Sequence, residues 1–379
     1  MGEDKPIVCV VGARPNFMKM AAVLPALGAG AQPVPTLLVH TGQHYDAAMK
    51  QAFFEQLSIP EPQVDLGVGS GSHAVQTGLV MQRFEPVLDH YGAAAVLVVG
   101  DVNSTIATAL VAVKKGIPVI HVEAGLRSQD RSMPEEINRI LTDQIADFLF
   151  TTERQAEANL KREGIAADKI HFVGNVMIDT LRRLLPQAAT VEALAQRFSL
   201  PEGVSLAAGG YGLLTLHRPA NVDDPQVLAE LLQAVCAISH ELPLLFPVHP
   251  RTLARVQAAG LQGLLESAPQ LVTLPPVGYL EMLGLMSRAR VVLTDSGGIQ
   301  EETTALGIPC MTLRENTERP ITVSHGTNTL VGRDGDKLRT TFAQIMQNGG
   351  KAGRIPELWD GQAAPRIAQQ LQQWYHRQG

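Results

Sequence analysis

Cysteine is scarce in this chain: three in 379 residues, at Cys9, Cys236 and Cys310, each inside an apolar run. No Cys-x-x-Cys or Cys/His spacing occurs, which speaks against a disulfide framework and against zinc, and no other metal set stands out. They read as core thiols in a protein of the reducing cytoplasm. Aromatic residues make up only 4%, too few for the stacking platforms that bind single-stranded nucleic acid. Positive charge is also short: the net charge is −6 and the pI about 6.0, so no basic patch argues for nucleic acid. No apolar run reaches the length of a membrane span. The acidic start, Met1-Gly-Glu-Asp-Lys-Pro, lacks the layout of a signal peptide. The fingerprint GxGxxG is missing from every candidate strand-to-helix turn, so no nicotinamide cofactor is expected.

What is present is a soluble composition, 45% hydrophobic and 18% charged, in a chain long enough for two domains. Short apolar runs recur, each followed by a turn signal and a helical pattern. They fall at 7–11, 36–40, 95–99, 118–122, 148–151 and 170–173, then at 212–216, 242–248, 271–274, 291–294, 309–313 and 329–332. Strands alternating with helices predict parallel sheets covered on both faces. Six strands per half is the size of a doubly wound nucleotide-binding unit. Pro186, Pro201, Gly203, Gly209 and Gly210 loosen the chain between Asp179 and Tyr211. The expected domains are therefore 1–180 and 181–363, with an amphipathic helix at about 364–379 returning to the first.

Polar residues cluster where these strands end, the place where open parallel sheets bind ligands. "DSGGIQEE" (295–302) follows a strand and opens a helix. Ser296, Gly297 and Gly298 would present backbone N–H groups to a phosphate, with Glu302 a turn further in, within reach of a ribose diol. The bland alternative is an ordinary turn with a Ser cap. "GARPNFMK" (12–19) has the same placement. Gly12 permits a tight turn, Pro15 suits a first helical position, and Arg14 with Lys19 could hold a diphosphate. For Lys19 alone, a solvated helix face is the simpler reading. "GDVNST" puts Asp101 at a strand end, where a helix N-cap is the common job. "LHRP" gives His217 and Arg218, "HPRT" gives Arg251, and "TERP" gives Arg319.

The stretch "HVEAGLRSQDRSMPEEINR" (121–139) sends a buried strand straight into acid. Ser132-x-x-Glu135 fits a capping box with Pro134 in the first turn. Glu136 and Arg139 fit a helical i,i+3 pair. Neither explains Glu123, which has no local cap to serve, and a charge at the end of a core strand is costly unless paired.

Taken in order and spacing, "GARP…K", "TGQH", "GD…ST", "HVEAGLRS", "PEEINR", "LHRP", "DSGGIQEE" and "ERP" make the chain resemble the non-hydrolysing UDP-N-acetylglucosamine 2-epimerases over nearly its whole length. The resemblance implies the glycosyltransferase-B architecture, two Rossmann-like domains facing across a cleft. It implies NAD-free interconversion of UDP-N-acetylglucosamine and UDP-N-acetylmannosamine. In that chemistry UDP departs with anti elimination of the C2 proton, giving 2-acetamidoglucal, and then adds back with protonation from the other face. Asp101, Glu123 and Glu135 match the family's acid/base carboxylates and His217 its essential histidine. Arg14, Lys19, Ser296, Gly297, Gly298, Glu302 and Arg319 match its substrate-binding positions. The segment from Val277 to Met282 matches the part that meets uracil. Glu135 is assigned to chemistry, in addition to its cap, and Glu136 to structure. A homodimer, a cytoplasmic location and a supply of surface-polysaccharide precursors follow from the same resemblance.

The chain also departs from the family. "GARPNFMK" stands where many members have GTRPEAIK, "HRPANVD" loses the Glu of HR-x-EN, and "GDVNST" replaces GD-T-T. "GARP-x-F-x-K" is similar to relatives acting on UDP-2,3-diacetamido-glucuronate, which is the alternative substrate. A hydrolysing 2-epimerase would share the elimination step. A glycosyltransferase would share the nucleotide half, but an inverting one needs a single base, not three carboxylates. A non-enzymatic nucleotide-sugar binding module needs no acid triad. Many bacterial members are activated by their own substrate. Gln43 and Glu136 match residues used there, but "VGSGSHAV" (68–75) lacks the Arg-Gln pair and Pro219 replaces an Arg. Weak or absent activation is expected.

Overall fold

The computed structural model describes residues 5–42, 54–198, 200–201 and 204–377. The chain divides into two compact units, Met1–Arg183 with Glu357–Gly379, and Leu184–Pro356. Gln43 and His44 of "TGQH" lie outside the described residues.

The first unit is built on a seven-stranded sheet ordered β3-β2-β1-β4-β5-β6-β7. Its strands are β1 (Ile7–Val11), β2 (Thr36–His40), β3 (Val64–Asp65), β4 (Ala95–Val99), β5 (Val119–Ala124), β6 (Phe148–Thr151) and β7 (Ile170–Phe172). Every described pairing is parallel. β1 and β4 are buried throughout, which is why their sequences are continuously apolar rather than alternating. β3 is a strand beyond the six expected; two residues beside β2 are too short to show a period. β5 also differs from expectation. It does not stop before the acid but runs through Glu123 to Ala124, with a register shift between Val122 and Ala124.

The second unit is a six-stranded parallel sheet ordered β10-β9-β8-β11-β12-β13. Its strands are β8 (Gly212–Thr215), β9 (Leu244–Pro247), β10 (Leu271–Leu274), β11 (Val292–Thr294), β12 (Cys310–Thr312) and β13 (Asn328–Leu330). In both units the winding reverses beside the first strand, between β1 and β4 and between β8 and β11. A doubly wound sheet opens a crevice at such a switch point, beyond the carboxyl ends of the strands.

The C-terminal helix Ala363–His376 belongs to the first unit. It is fastened by Asp179, which accepts from Ala363 N at 3.1 Å and Ala364 N at 2.6 Å. The return starts before the helix itself, because buried Trp359 donates its indole N–H to Thr152 O at 3.0 Å. Among the described residues no helix is long and apolar enough to cross a membrane.

Candidate active site

In the first unit the turn after β1 is held by Asn16. Its Oδ1 accepts from Gly12 N at 3.1 Å and Ala13 N at 3.0 Å, and its Nδ2 donates to Val99 O at 2.9 Å. One side chain thus ties the ends of β1 and β4 together, and it opens the helix Arg14–Leu27. Arg14 is exposed at that helix's first residue, one place earlier than the Pro15 start expected.

Lys19 is not on a solvated face. It is 4% exposed, and its Nζ lies 2.7 Å from Glu123 Oε1. The structure therefore separates the two cations that the sequence grouped around a diphosphate: Arg14 stands at the rim, Lys19 against an acid. The pair needs Gly100 beside it, since a Cβ there would sit 2.8 Å from Lys19 Nζ. Glu123 itself has φ +72°, a left-handed conformation that costs an ordinary residue about 1–2 kcal/mol. Desolvating two charges is offset only by close pairing in a fixed geometry.

Asp101 does not cap the following helix, Asn103–Lys114; the N-cap is Val102. The Asp101 carboxylate instead takes Arg139 Nε at 3.2 Å and Nη2 at 2.5 Å on Oδ2, and Asn138 Nδ2 donates to its carbonyl at 2.9 Å. Nor does Ser132 cap the helix Pro134–Ile145, whose N-cap is Met133. Ser132 Oγ bonds Asp130 at 2.6 Å. The expected capping box is replaced by a longer reach. Glu136 accepts from Ser128 N and Oγ, both at 2.9 Å, and from Gln129 N at 3.0 Å, and it pairs with Arg139. That leaves Glu135 half-buried, with no hydrogen bond or ion pair among the described residues. It has no cap to serve, and Glu136 does the structural work.

In the second unit His217 follows β8 and is aimed by Asp295, at the end of β11. Asp295 is fully buried and accepts from His217 N at 2.9 Å and Arg218 N at 2.8 Å. His217 Nδ1 lies 3.1 Å from its Oδ1. Burial alone would raise the Asp295 carboxyl, but the His217 ring and these N–H groups outweigh it and hold it below the ordinary range. With Nδ1 on the carboxylate, Nε2 is the nitrogen offered outward.

Ser296 precedes the helix Gly297–Leu306 as its N-cap, yet its side chain makes no capping bond. The first N–H groups of that helix are thus not taken by its own cap, and the Ser-cap alternative fails. Glu302 is buried and accepts from Tyr279 Oη at 2.8 Å. Tyr279 opens the helix Tyr279–Met286; Val277 just before it is buried and Met282 within it is half-buried. Arg319 is 7% exposed and lies between two acids, Glu301 Oε1 at 3.0 Å and Glu318 Oε1 at 2.8 Å. Arg314 holds the other Glu318 oxygen at 2.8 Å. Burial pushes Glu318 up, but Arg319, Arg314 and Arg218 outweigh it and hold it far below the usual carboxylate range. Gly297 is the point of contact: a Cβ there would meet Glu318 Oε1 at 2.6 Å. Arg251 does not join this group, because it is tied to Asp223 at 2.5 Å on the surface.

The sequence therefore pointed to the candidate site residues but not to those that hold them: Asn16, Asp295 and Glu318. All three stood inside quoted motifs, and for the two acids a signal existed. The signal available was an acid directly after an apolar strand or directly before an arginine.

The family model described as UDP-N-acetylglucosamine 2-epimerase matches residues 29–372. A UDP-N-acetylglucosamine 2-epimerase of Methanococcus maripaludis is 41% identical over 341 residues, 89% of this chain and 91% of that protein. A UDP-2,3-diacetamido-2,3-dideoxy-D-glucuronate 2-epimerase of Pseudomonas aeruginosa is also 41% identical, over 372 residues, 96% of this chain and 99% of that one. The crystal structure of Methanocaldococcus jannaschii UDP-GlcNAc 2-epimerase in complex with UDP-GlcNAc and UDP superimposes with a TM-score of 0.86 at 40% identity, covering 97% of this chain and 99% of that chain.

Proposed function

The chain belongs to the UDP-N-acetylglucosamine 2-epimerase family, and from that premise we propose that it interconverts UDP-N-acetylglucosamine and UDP-N-acetylmannosamine. The single observation that carries this is the Glu123–Lys19 ion pair, one buried strand-end acid held by its own cation. The C2 proton has no neighbouring carbonyl to acidify it, so the first event is C1–O cleavage. The electron pair of that bond leaves with UDP, a carboxylate takes the C2 proton, and the C1–C2 double bond of 2-acetamidoglucal forms. Reversal with protonation on the opposite face inverts C2. Two carboxylates of differing surroundings suit the two faces: Glu123 faces Lys19, Asp101 faces Arg139, and Glu135 is a third acid at the neighbouring helix mouth. His217, aimed by Asp295, and the N–H groups of Gly297 and Gly298 would meet the departing diphosphate. Arg14 and Arg319 would bind the substrate's anionic part, Glu302 the ribose, and 277–282 the base. On this reading the enzyme works as a cytoplasmic homodimer, and its product is a donor for surface polysaccharide.

The test is incubation with UDP-N-acetylglucosamine in D2O, followed by proton NMR. Deuterium entering C2 while UDP-N-acetylmannosamine accumulates is the expected result. Absence of exchange would remove this substrate. The similarity to the Pseudomonas enzyme makes UDP-2,3-diacetamido-glucuronate the second sugar to try. Free N-acetylmannosamine and UDP as the sole products would mark a hydrolysing enzyme.

A further inference from the structure

Beneath Asp101 and Glu123 lies a buried group of charges that the reaction does not itself require. His121 and Asp143 are both 0% exposed. His121 Nδ1 is 2.7 Å from Asp143 Oδ1, and its Nε2 is 2.8 Å from Gly100 O. The other Asp143 oxygen accepts from Gly125 N at 3.1 Å and pairs with Arg127 Nη1 at 2.8 Å. Arg127 is in turn forked onto Glu163 at 2.8 and 2.5 Å.

The partners fix the roles. A carbonyl only accepts, so Nε2 donates to Gly100; a carboxylate accepts, so Nδ1 donates to Asp143. Gly100 immediately precedes Asp101, and Gly125 follows Glu123 by two residues. Asp143 thus reaches the backbone at both acids, directly on one side and through the His121 ring on the other. That backbone needs holding: Glu123, not a glycine, has φ +72°, and β5 shifts register there. Strained backbone persists only where its surroundings over-determine it.

We propose that His121 and Asp143 are positioning residues that set the aim of Asp101 and Glu123 without touching substrate. The proposal rests on the acid/base reading of those two carboxylates. It makes a prediction that a purely structural pair does not. Loss of the Gly100 bond should lower kcat while leaving nucleotide-sugar binding intact, because the binding groups on the second unit are untouched.

The test compares His121→Phe, which keeps a ring but has no donor, with His121→Gln, whose amide can still donate to Gly100. Asp143→Asn serves as a second site should the Phe variant not fold. C2 deuterium exchange, kcat, KM and UDP affinity are measured on the full chain, beside the wild type. The Phe and Asn variants should lose about 100-fold in kcat with KM and UDP affinity changed less than about 3-fold. The Gln variant should recover at least about 10-fold of that loss. Equal rates for the Phe and Gln variants would overturn the proposal, as would a loss confined to KM, or no loss. Absence of exchange in the wild type would instead overturn the proposed function and the positioning role with it.

Discussion

Glu123 bears two costs at once, a desolvated carboxylate and a left-handed backbone. Both are sustained by contacts made far along the chain, Lys19 above all. Glu123→Gln keeps the shape and removes the base. We expect C2 exchange to fall about 10²- to 10⁴-fold, with UDP affinity retained; full exchange in this variant would dismiss the assignment. Asp295→Asn should act through His217. The carboxylate held low by His217 would no longer fix Nδ1 as the donor, so kcat should fall while C2 exchange and epimer formation fall together. The acid at position 123 was legible in the sequence because no local cap could use it. The burial of Lys19 was not, because its partner lies 104 residues away. The helical spacing of 12–19 alone permits a solvated lysine. The same limit hid the true role of Ser132: a capping box is a local pattern, and Asp130 and Glu136 resolved it otherwise.

At the scale of elements, the helix Gly297–Leu306 and the segment carrying Glu318 and Arg319 form one device. Gly297→Ala would drive a methyl group into Glu318 and Arg319. UDP should then bind at least about 10-fold more weakly, or about 1.4 kcal/mol, by calorimetry, with thermal stability of the first unit unchanged. Unaltered UDP binding would show that this helix mouth is not the phosphate seat. Glu318 also ties the device to pH. Its carboxyl is depressed in the folded state from an ordinary value of 4.5, so its contribution is fully present above that pH. The contribution is lost progressively as pH falls below it towards the folded value. Glu318→Gln, which takes the acid from Arg314 and leaves Arg319 with Glu301 alone, should therefore cost about 3–5 kcal/mol at neutral pH. The difference from wild type in urea midpoint should shrink below pH ~4.5. A constant difference across that range would contradict the role given to its charge. The twelve strands read from sequence were legible because buried parallel strands are continuous apolar runs. Val64–Asp65 lacked such a run, and β5 passed its predicted end because a shift of register within the strand, not a turn, accommodates Glu123.

For the whole molecule, two units of similar winding were legible in the alternation of strands and helices, but the point where the chain crosses back was not. The compact units change at Arg183 and again at Glu357, before the C-terminal helix, since Trp359 and Asp360 already contact the first unit at Thr152 and Arg182. The remaining question at this scale is whether the substrate also regulates. An activator bound beside the active site needs unengaged polar groups. Of the two residues matching those used by activated relatives, Gln43 lies outside the described residues, and Glu136 is 1% exposed and saturated by Ser128, Gln129 and Arg139. Arg83, exposed on the helix that begins at His73, is already engaged by Leu66 O at 2.7 Å and Gly67 O at 2.6 Å. Pro219 starts its short helix and offers no donor. The expected outcome is therefore simple kinetics. Initial rates on UDP-N-acetylmannosamine should change less than about 2-fold when trace UDP-N-acetylglucosamine is added, where ordinary allosteric coupling would give roughly 5- to 150-fold. A strict requirement for the trace would mean that Glu136 leaves its internal partners when the activator binds, and the helix Pro134–Ile145 would then be the moving part.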